Sequence, residues 1–354
     1  MHAHAQSDIF NSVQEYYGSI LGNKDDLKTS TCCSAEAVPA YLRPLMNNIH
    51  EEVHNKFYGC GSPVPYALEG CTVLDLGCGS GRDVYTMAQL VGEKGRVIGV
   101  DMTDGQLEVA QKHADYHMQK FGYRSANVSF HKGYIEDLAV LGIADNSIDL
   151  VTSNCVINLS PDKQKVFSEI FRVLKPGGEL YFSDIFCGQR IPQPLSRDPI
   201  LLGECLGGAL YIEDFRRLLG AVGCHDYRLL SSTPIALQDS EIQRKIGDID
   251  FYSMTVRTFN LNFEDRQENY GHSATYLGDI KHTKEIFTLD AENKFQSGQK
   301  LPVSGNTAKI LQQSRYRIHF DIDGDYATHC GPFRDTLADC CASAPKQPAL
   351  GCCG

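Results

Sequence analysis

The sequence lacks the features of a membrane protein and of an exported one. No segment approaches the ~20 consecutive apolar residues that a transmembrane helix needs. The first residues, MHAHAQSDIF, have neither the basic region nor the apolar core of a signal peptide. Tryptophan is also absent. We therefore expect a cytoplasmic protein without a membrane partner, whose ligand binding has to be followed by a signal other than tryptophan fluorescence.

Positive charge is scarce as well. The 354 residues include 33 Lys and Arg against 44 Asp and Glu, which gives a net charge of -11. A chain this acidic lacks the positive potential that attracts a phosphate backbone, so we do not expect a nucleic-acid partner. Hydrophobic residues make up 42% and charged residues 22%, which is typical of a folded protein and excludes a mainly disordered one.

Cysteine, by contrast, is abundant, and the chain has 14 of them. A cytoplasmic protein keeps its thiols reduced, so these residues are candidates for metal binding, redox chemistry or catalysis. Many free cysteines simply act as small buried hydrophobic residues. We give that interpretation to four that fall in or beside predicted core strands and turns: Cys71, Cys78, Cys187 and Cys224.

Short β-rich runs alternate with helical segments from Thr72 to about residue 260. The runs include TVLDL, RVIGV, NVSFHKG and SIDLVTSNCVI, and a typical helical segment extends from Asp162 to Leu174. This alternation predicts an α/β fold with a doubly wound, mostly parallel sheet over residues 71–260. The other expected parts are a helical and loop segment at 1–70, a small C-terminal region at 261–329 and a flexible, cysteine-containing tail at 330–354.

Finer predictions concern single elements. The apolar residues between Pro39 and Phe57 recur at helical spacing and predict one amphipathic helix that begins near Pro44. A second helix is predicted from Gln106 to Phe121, and the run ECLGGALYIEDFRRLLGAVG predicts a third that ends at Gly223. The expected closing strands are Tyr227–Leu230 and Phe251–Phe259.

A glycine-rich segment, VLDLGCGSGRD, follows the first predicted strand and precedes a predicted helix. It contains Asp75, Gly77, Gly79 and Gly81. Glycines let the backbone turn sharply and approach a ligand closely, and the helix N-terminus offers free N–H groups. The nicotinamide fingerprint G-x-G-x-x-G is not met, because neither residue 82 nor residue 84 is glycine. The spacing D-x-G-x-G-x-G instead resembles motif I of S-adenosylmethionine-dependent methyltransferases, in which this turn holds the amino-acid part of the cofactor.

An acidic residue supports a nucleoside site. Asp101 ends the second predicted strand, 20 residues beyond Gly81, where a carboxylate accepts hydrogen bonds from both ribose hydroxyls. A glycine loop alone is equally typical of a structural turn, but the loop, the acid and the alternating strands together favour nucleoside binding. The resemblance implies four further cofactor contacts: Arg82, Met102, Glu136 at the adenine end, and Asn154. A solvated loop carboxylate is the alternative for Glu136.

Two cysteines stand where a second substrate would meet such a sheet. Cys155 follows the fourth predicted strand in SNCVINL, at the carboxyl edge where open α/β sheets bind ligands. Cys205 lies in GECLGGAL, after the linker RIPQPLSRDP, in a segment long enough to fold over that edge. The sequence therefore predicts two thiols within reach of one methyl donor.

With these cysteine contexts the resemblance becomes specific. The segments HEEVHNKFYGCG, LDLGCGSGRD, GVDMT, SNCVINLSPDK, LKPGGELYFSD and GECLGGALY are similar to the arsenite methyltransferases, over about residues 25–290. The resemblance implies a Rossmann-like methyltransferase sheet, S-adenosylmethionine as cofactor, arsenite and methylarsenite as substrates, and an arsenic-binding segment near residues 188–225.

The resemblance also implies a set of arsenic ligands. Cys155 and Cys205 correspond to thiols that hold As(III) in that family. Two further family cysteines lie near the N-terminus and correspond to Cys60 and to one of Cys32 and Cys33. The adjacent pair departs from the family's single cysteine, so the choice between Cys32 and Cys33 stays open.

The chemistry of arsenic suits these residue types. Trivalent arsenic is a soft acceptor and selects thiolates over imidazoles or carboxylates. Three thiolates leave its lone pair free to attack the sulfonium methyl, so no general base is needed on arsenic. Each transfer oxidises As(III) to As(V), and turnover then needs two electrons. The resemblance implies that two thiolates, Cys60 and Cys32 or Cys33, supply them by joining in a disulfide, and a thiol reductant such as glutathione or a thioredoxin-like protein then restores the thiols. We expect a monomer.

Two other functions remain open at this point. A methyltransferase for a small organic acceptor, such as a quinone or a sterol, would share LKPGGELYFSD and would keep its activity without the thiols. A non-enzymatic protein that sequesters metalloids would bind arsenite but not S-adenosylmethionine. The segment His50–His54 also matches H-E-x-x-H, a zinc-protease pattern. We interpret it as helix surface and cofactor-side packing, because no third ligand follows at a recognisable spacing.

Overall fold

The computed structural model describes residues 38–59, 61–237 and 239–333, and it follows the predicted alternation of strands and helices. The first elements are two short helices, α1 (Arg43–Met46) and α2 (Glu51–Asn55). Five strands follow: β1 (Thr72–Leu76), β2 (Arg96–Asp101), β3 (Val128–Lys132), β4 (Ile148–Asn154) and β5 (Leu174–Cys187). The helices between them are α3 (Arg82–Val91), α4 (Asp104–Lys112), α5 (Ala114–Phe121) and α6 (Lys163–Val173).

The sheet is completed by elements that follow β5. These are α7 (Pro199–Gly203), β6 (Leu210–Tyr211), α8 (Ile212–Ala221), β7 (Arg228–Pro234), α9 (Ser240–Ile246) and β8 (Phe251–Phe259). The strand order is β3-β2-β1-β4-β5-β8-β7, with β6 paired beside the end of β5. Strands β1 to β5 run parallel, whereas β8 and β7 are antiparallel to their neighbours. This confirms the predicted doubly wound, mostly parallel, Rossmann-like sheet.

The order of the strands defines where a ligand can enter. From β1 the chain moves outward to β2 and β3, and it then returns to the other side of β1 with β4 and β5. The connections therefore leave β1 and β4 in opposite directions, which opens a crevice at the carboxyl ends of these two strands. The glycine loop follows β1 and Cys155 follows β4, so both predicted functional segments lie at this crevice.

Burial on both faces explains the composition of the strands. Val73, Leu74 and Leu76 in β1 are fully buried, so consecutive side chains on opposite faces of the strand are covered. This is the pattern of a parallel strand that lies between two layers of helices. Helix α6 packs on one face through apolar residues at three- and four-residue steps: Val166, Phe167, Ile170 and Val173. The helices described here include none that is long and apolar enough to cross a membrane.

Two helices that were predicted to be continuous are each divided into two in the structure, so these predictions are wrong. The helix expected between Pro39 and Phe57 is divided into α1 and α2, because His50 has an extended backbone and caps the start of α2. Its side chain accepts a hydrogen bond from the main-chain N–H of Glu52. The helix expected from Gln106 to Phe121 is likewise divided, at His113, into α4 and α5. The apolar spacing is correct in both segments, since it reports burial and not backbone continuity.

The third predicted helix is also wrong, because only its second half is helical. Helix α7 ends at Gly203, and helix α8 begins at Ile212. Between them Cys205 has a left-handed backbone, and the chain then forms strand β6 beside β5. The expected strands near 227–230 and 251–259 are present as β7 and β8, and α9 between them was not predicted from the sequence.

The residues after Leu261 form small antiparallel sheets and one helix. Their elements are β9 (Ser273–Tyr276), β10 (Ile286–Thr288), β11 (Lys294–Gln296), β12 (Lys300–Pro302), α10 (Gly305–Gln313) and β13 (Phe320–Asp323). Strands β12, β9 and β13 form one sheet, and β10 pairs with β11. Phe287 and Tyr316 share a hydrophobic cluster with Phe182 and Phe259 of the main sheet. The boundaries at 261 and 330 stay predictions, and most of the predicted tail lies outside the described residues.

Candidate active site

A pocket of about 970 Å³ lies at the carboxyl ends of the parallel strands. Of the predicted cofactor residues, those that line it are Asp75, Gly77, Gly79, Asp101, Met102, Glu136 and Asn154. Cys155 lines the same pocket. Gly81 and Arg82 do not: Gly81 is the residue that precedes α3, and Arg82 forms an ion pair with Asp83 at 2.8 Å. The structure therefore gathers most of the predicted residues into one cavity.

The glycine loop approaches the segment after Cys155 very closely. Gly77 has a φ of 72°, and a Cβ on it would lie 2.3 Å from the side chain of Val156. Only glycine fits both this conformation and this space. The main-chain N–H groups of Gly77 and Cys78 donate to the carbonyl of Val100, which ties the loop to β2. The glycine loop and the segment after Cys155 are consequently packed against each other.

Asp101 connects the end of β2 to the glycine loop. Its Oδ2 accepts a hydrogen bond from the Gly79 N–H at 2.9 Å, and its Oδ1 accepts one from the Thr103 N–H at 2.8 Å. Burial raises the pKa of this carboxyl, whereas the two main-chain donors lower it. The side chain is thus fixed in orientation at the wall of the pocket.

Two buried acceptor atoms in this pocket have no partner among the described residues. They are Glu136 Oε2 and Gln106 Oε1. Glu136 is 6% exposed, and its other oxygen accepts a hydrogen bond from Ser160, so the solvated-carboxylate interpretation is wrong. Burial raises the pKa of Glu136. Because a buried acceptor without a donor costs about 1–3 kcal/mol, both atoms fit a pocket that receives hydrogen-bond donors from a ligand.

Asn154 connects the end of β4 to the chain around residue 60. Its Nδ2 donates to the Gly61 carbonyl and to Asp83 Oδ2, both at 2.9 Å, and its Oδ1 accepts from the Gly61 N–H at 3.2 Å. A Cβ on Gly59 would lie 2.9 Å from the same amide group. Both chain neighbours of Cys60 therefore contact the residue that precedes Cys155. Cys60, Cys32 and Cys33 themselves lie outside the described residues.

Several pocket residues were not singled out from the sequence. Five of them are Lys56, Phe57, Tyr58, Gln106 and Ser160. Three of them fall inside the quoted segment HEEVHNKFYGCG, which was a signal that this segment covers the pocket. The Phe57 ring lies 3.1 Å from the Arg82 guanidinium carbon, so α2 leads directly into a wall of the pocket. Nothing in the sequence distinguished Gln106 from an ordinary polar residue of α4.

The Cys155 loop (residues 155–160) and the Cys205 loop (residues 204–209) meet next to the pocket. The Sγ of Cys205 donates to the Cys155 carbonyl at 3.4 Å, and the two residues are 0% and 4% exposed. Cys155 is disulfide-bonded, whereas the other six cysteines of the described ranges form no disulfide. Both residues have a left-handed backbone, with φ values of 58° and 61°. Such conformations in residues other than glycine concentrate at functional sites.

The H-E-x-x-H pattern does not form a zinc site. Three possible ligands cluster in this part of the chain, namely His50, Glu52 and His113. The second histidine of the pattern is absent from that cluster, and its ring contacts a main-chain carbonyl instead. His50 Nδ1 accepts a main-chain N–H, so its proton is on Nε2 and that atom has no lone pair for a metal. Hydrogen bonds from Lys112 and His113 lower the pKa of Glu52 to about 2.

Comparison with known proteins gives consistent matches. Residues 67–223 match a family model described as a methyltransferase domain, and residues 270–352 match one described as the arsenite methyltransferase C-terminal domain. The arsenite methyltransferase of Aquipseudomonas alcaligenes is 52% identical over 326 residues, which cover 92% of this chain and 94% of that protein. The human arsenite methyltransferase is 46% identical over 324 residues, with 91% of this chain and 86% of that protein covered.

A solved structure has the same architecture. The crystal structure of an arsenic(III) S-adenosylmethionine methyltransferase from Chlamydomonas reinhardtii superposes with a TM-score of 0.81 and 48% sequence identity. The match covers 84% of this chain and 100% of that one. It therefore extends well beyond the methyltransferase sheet that many such enzymes share.

Proposed function

The chain belongs to the arsenite methyltransferase family of S-adenosylmethionine-dependent enzymes, and on that premise we propose that Cys155 and Cys205 hold its arsenic substrate. The observation that carries this assignment is the contact between Cys205 Sγ and the Cys155 carbonyl beside the cofactor pocket. Soft trivalent arsenic binds thiolates in preference to the carboxylates and histidines that are more common in such pockets.

The polar groups that line the pocket fit S-adenosylmethionine. When bound, this cofactor supplies a methyl group on a positively charged sulfur. Asp101 would accept hydrogen bonds from the ribose, and the unpartnered oxygens of Glu136 and Gln106 would accept from other donors of the nucleoside. Asp75 and Asn154, at the ends of β1 and β4, would hold the amino-acid part together with the glycine loop. The carboxyl groups also suit a ligand with positive charge.

The described residues keep water away from the arsenic. Both cysteines are buried in an apolar cluster that includes Ile185, Leu201 and Leu206. Cys60, whose neighbours contact Asn154, would supply the third thiolate for arsenite. Three thiolates leave the arsenic lone pair free, and a dry site keeps that lone pair from being protonated or the methyl donor from being hydrolysed.

We assign the redox step to the cysteines of the N-terminal part. Methyl transfer forms an As–C bond with the arsenic lone pair, which converts As(III) to As(V) and leaves a neutral thioether. Two thiolates then give up two electrons, their sulfurs join in a disulfide, and arsenic returns to As(III). The disulfide would form between Cys60 and Cys32 or Cys33, and glutathione or a thioredoxin-like protein would reduce it. Cys155 must also be reduced before it can bind arsenic, because it is disulfide-bonded in the structure.

Arsenic speciation after incubation with S-adenosylmethionine, arsenite and reduced glutathione tests this function. We expect Cys155→Ser and Cys205→Ser each to abolish methylated arsenic, with S-adenosylmethionine affinity unchanged by calorimetry, because the thiols contact only the acceptor. Cys224→Ser is the matched control, since Cys224 is a buried free thiol that does not line the pocket.

Three outcomes would contradict the proposal or part of it. Methylation of an organic acceptor with no methylation of arsenite would identify a different methyltransferase. Binding of arsenite without any binding of S-adenosylmethionine would indicate sequestration. Full activity in either serine variant would remove that cysteine from the arsenic site.

A further inference from the structure

A buried carboxylate and a buried amide lie beneath the cysteine loops. Asp184 in β5 is fully buried, and Asn158, three residues after Cys155, is 1% exposed. Asn158 Nδ2 donates to Asp184 Oδ1 at 2.7 Å, and the main-chain N–H of Asn158 donates to Asp184 Oδ2 at 3.1 Å. The same Nδ2 donates to the Ile185 carbonyl at 2.6 Å. Three hydrogen bonds therefore fix the Cys155 loop to the sheet through one residue.

The main-chain carbonyl of Asn158 faces the other cysteine loop. A Cβ on Gly208 would lie 1.9 Å from this oxygen, so the Cys205 loop packs directly on it. The Lys163 ammonium, in the first turn of α6, donates to the same carbonyl at 3.1 Å and to the Ser160 carbonyl at 3.0 Å. The side chain of Asn158 consequently contacts the sheet. Its main-chain carbonyl contacts both the Cys205 loop and α6.

Burying two ionisable groups beside one turn costs folding free energy, which a turn with only a structural role does not require. Burial raises the pKa of Asp184 to about 7 and lowers the pKa of Lys163 to about 8, so both groups are held where ionisation is unfavourable. Cys155 and Cys205 also keep strained backbones, which persist only where the surroundings impose them. The hydrogen bonds to Asn158 supply that constraint on one loop, and the Gly208 contact transmits it to the other.

We propose that Asn158, held between Asp184 and Lys163, is a positioning residue that sets the separation of the Cys155 and Cys205 thiols for arsenic. The inference rests on the proposed function, because it takes both thiols to be arsenic ligands. Asn158 lines a second cavity, of about 860 Å³, and does not line the cofactor pocket. We therefore expect Asn158 to affect the binding of the arsenic acceptor and not the binding of S-adenosylmethionine.

The test uses the full-length enzyme with methylarsenite, which already carries one carbon ligand and binds through two thiols. In Asn158→Ala we expect the KM for methylarsenite to rise roughly ten- to hundredfold, as is usual when the support of a ligand is removed. The KM for S-adenosylmethionine should not change. The matched control is Asn260→Ala, which removes an amide that donates to the Leu174 and Lys175 carbonyls at the other end of β5. The control should change neither KM.

A reciprocal exchange separates positioning from simple stabilisation. Asn158→Asp alone places two carboxyl groups together and should raise the methylarsenite KM further than Asn158→Ala. The double variant Asn158→Asp/Asp184→Asn restores an amide–carboxylate pair and should recover part of the loss. If Asn158→Ala does not fold, the comparison of Asn158→Asp with Asn158→Asp/Asp184→Asn carries the test by itself.

Two results would overturn the proposal. One is an unchanged methylarsenite KM in the variants that fold, and the other is an equal rise of both KM values, which would indicate general damage. Cys155→Ser and Cys205→Ser are assayed in parallel. If they lose activity while Asn158→Ala is normal, only the positioning role fails, whereas active serine variants would mean that the thiol assignment itself fails.

Discussion

Cys155 and Cys205 have φ values of 58° and 61°, which residues with a Cβ seldom adopt. A left-handed backbone costs a residue other than glycine roughly 1–2 kcal/mol. Glycine would stand at either position without that cost, so the occurrence of cysteine at both indicates that the sulfur atom is needed there. The conformation also turns each side chain away from the direction that a continuing strand or helix would give it.

Asp101→Ala should weaken S-adenosylmethionine binding. The substitution removes a charged acceptor that the Gly79 and Thr103 N–H groups hold in place. Loss of hydrogen bonds to such a group costs about 1.5–3 kcal/mol, which corresponds to roughly a ten- to hundredfold higher dissociation constant. Calorimetry with S-adenosylmethionine measures the change. Unaltered cofactor affinity would refute the assignment of Asp101, and arsenite affinity serves as the internal control.

Cys60→Ser should affect arsenite more than methylarsenite. In the proposed assignment arsenite binds three thiolates, whereas methylarsenite binds only those of Cys155 and Cys205. We expect the variant to lose most of the first methylation and to retain measurable methylation of methylarsenite. Single-turnover assays of both substrates with excess small thiol measure this, because the added thiol removes the reductive step from the comparison. An equal loss on both substrates would place Cys60 in the site common to them.

The adjacent pair Cys32 and Cys33 gives a separate prediction. The two residues are adjacent in sequence, and in the proposed redox step either of them supplies the thiol that joins Cys60. We expect each single serine substitution to be milder than the double substitution, in repeated-turnover assays where the disulfide has to form. A single variant as inactive as the double one would identify that cysteine as the functional thiol.

At the scale of elements, the site is made by loops at the ends of strands. The glycine loop follows β1, and the Cys155 loop follows β4, which is the neighbour of β1 in the sheet. Gly77 packs on Val156, so the glycine loop and the Cys155 loop are in direct contact. A change in either loop is therefore expected to reach the other.

Gly77→Ala should impair both cofactor binding and arsenic methylation. A Cβ on this residue would lie 2.3 Å from Val156, at a φ of 72°. In the double variant Gly77→Ala/Val156→Ala the space becomes available, but the cost of the left-handed backbone, roughly 1–2 kcal/mol, remains, so we expect partial recovery. Calorimetry and arsenic speciation on the two single variants and the double one measure this. No recovery in the double variant would mean that backbone strain, and not the contact, causes the loss.

At the scale of the whole molecule, the C-terminal region is part of the same core as the sheet. Glu179 in β5 is fully buried and pairs with Arg257 in β8 and with Arg315, which follows α10. Arg257 also donates to the Tyr316 hydroxyl at 2.6 Å. These buried charges connect β5 and β8 of the main sheet to the segment that follows α10. We therefore expect the two parts to unfold together.

Arg315→Met should lower the free energy of unfolding by about 3–5 kcal/mol, because it leaves part of the Glu179 charge buried without its partner. Arg216→Met is the control, since Arg216 forms an exposed pair with Glu213 on α8 that is expected to contribute less than about 1 kcal/mol. Urea unfolding of both variants measures the difference. Equal effects would show that the Glu179 cluster does not connect the two parts.

Much of this architecture could be predicted from the sequence, because it depends on local patterns. Apolar β-rich runs such as TVLDL form strands wherever helices cover both faces, and the spacing of Asp75, Gly77 and Asp101 follows from the geometry of one strand–loop–helix unit. The contexts of Cys155 and Cys205 carried the resemblance to arsenite methyltransferases, which the comparisons support over most of the chain.

Only the tertiary structure decided which distant segments meet. The break between α4 and α5 falls at His113, whose ring bonds to the Glu52 side chain, and no helical spacing reports a partner 61 residues away. Folding also buries oxygens of Glu136 and Gln106 that have no hydrogen-bond partner within the described part of the chain. It likewise brings Asn158 into contact with Asp184 of β5 and with Lys163. Local hydrophobic pattern determines the elements, but their packing determines which polar groups lose water and must find a partner or a ligand.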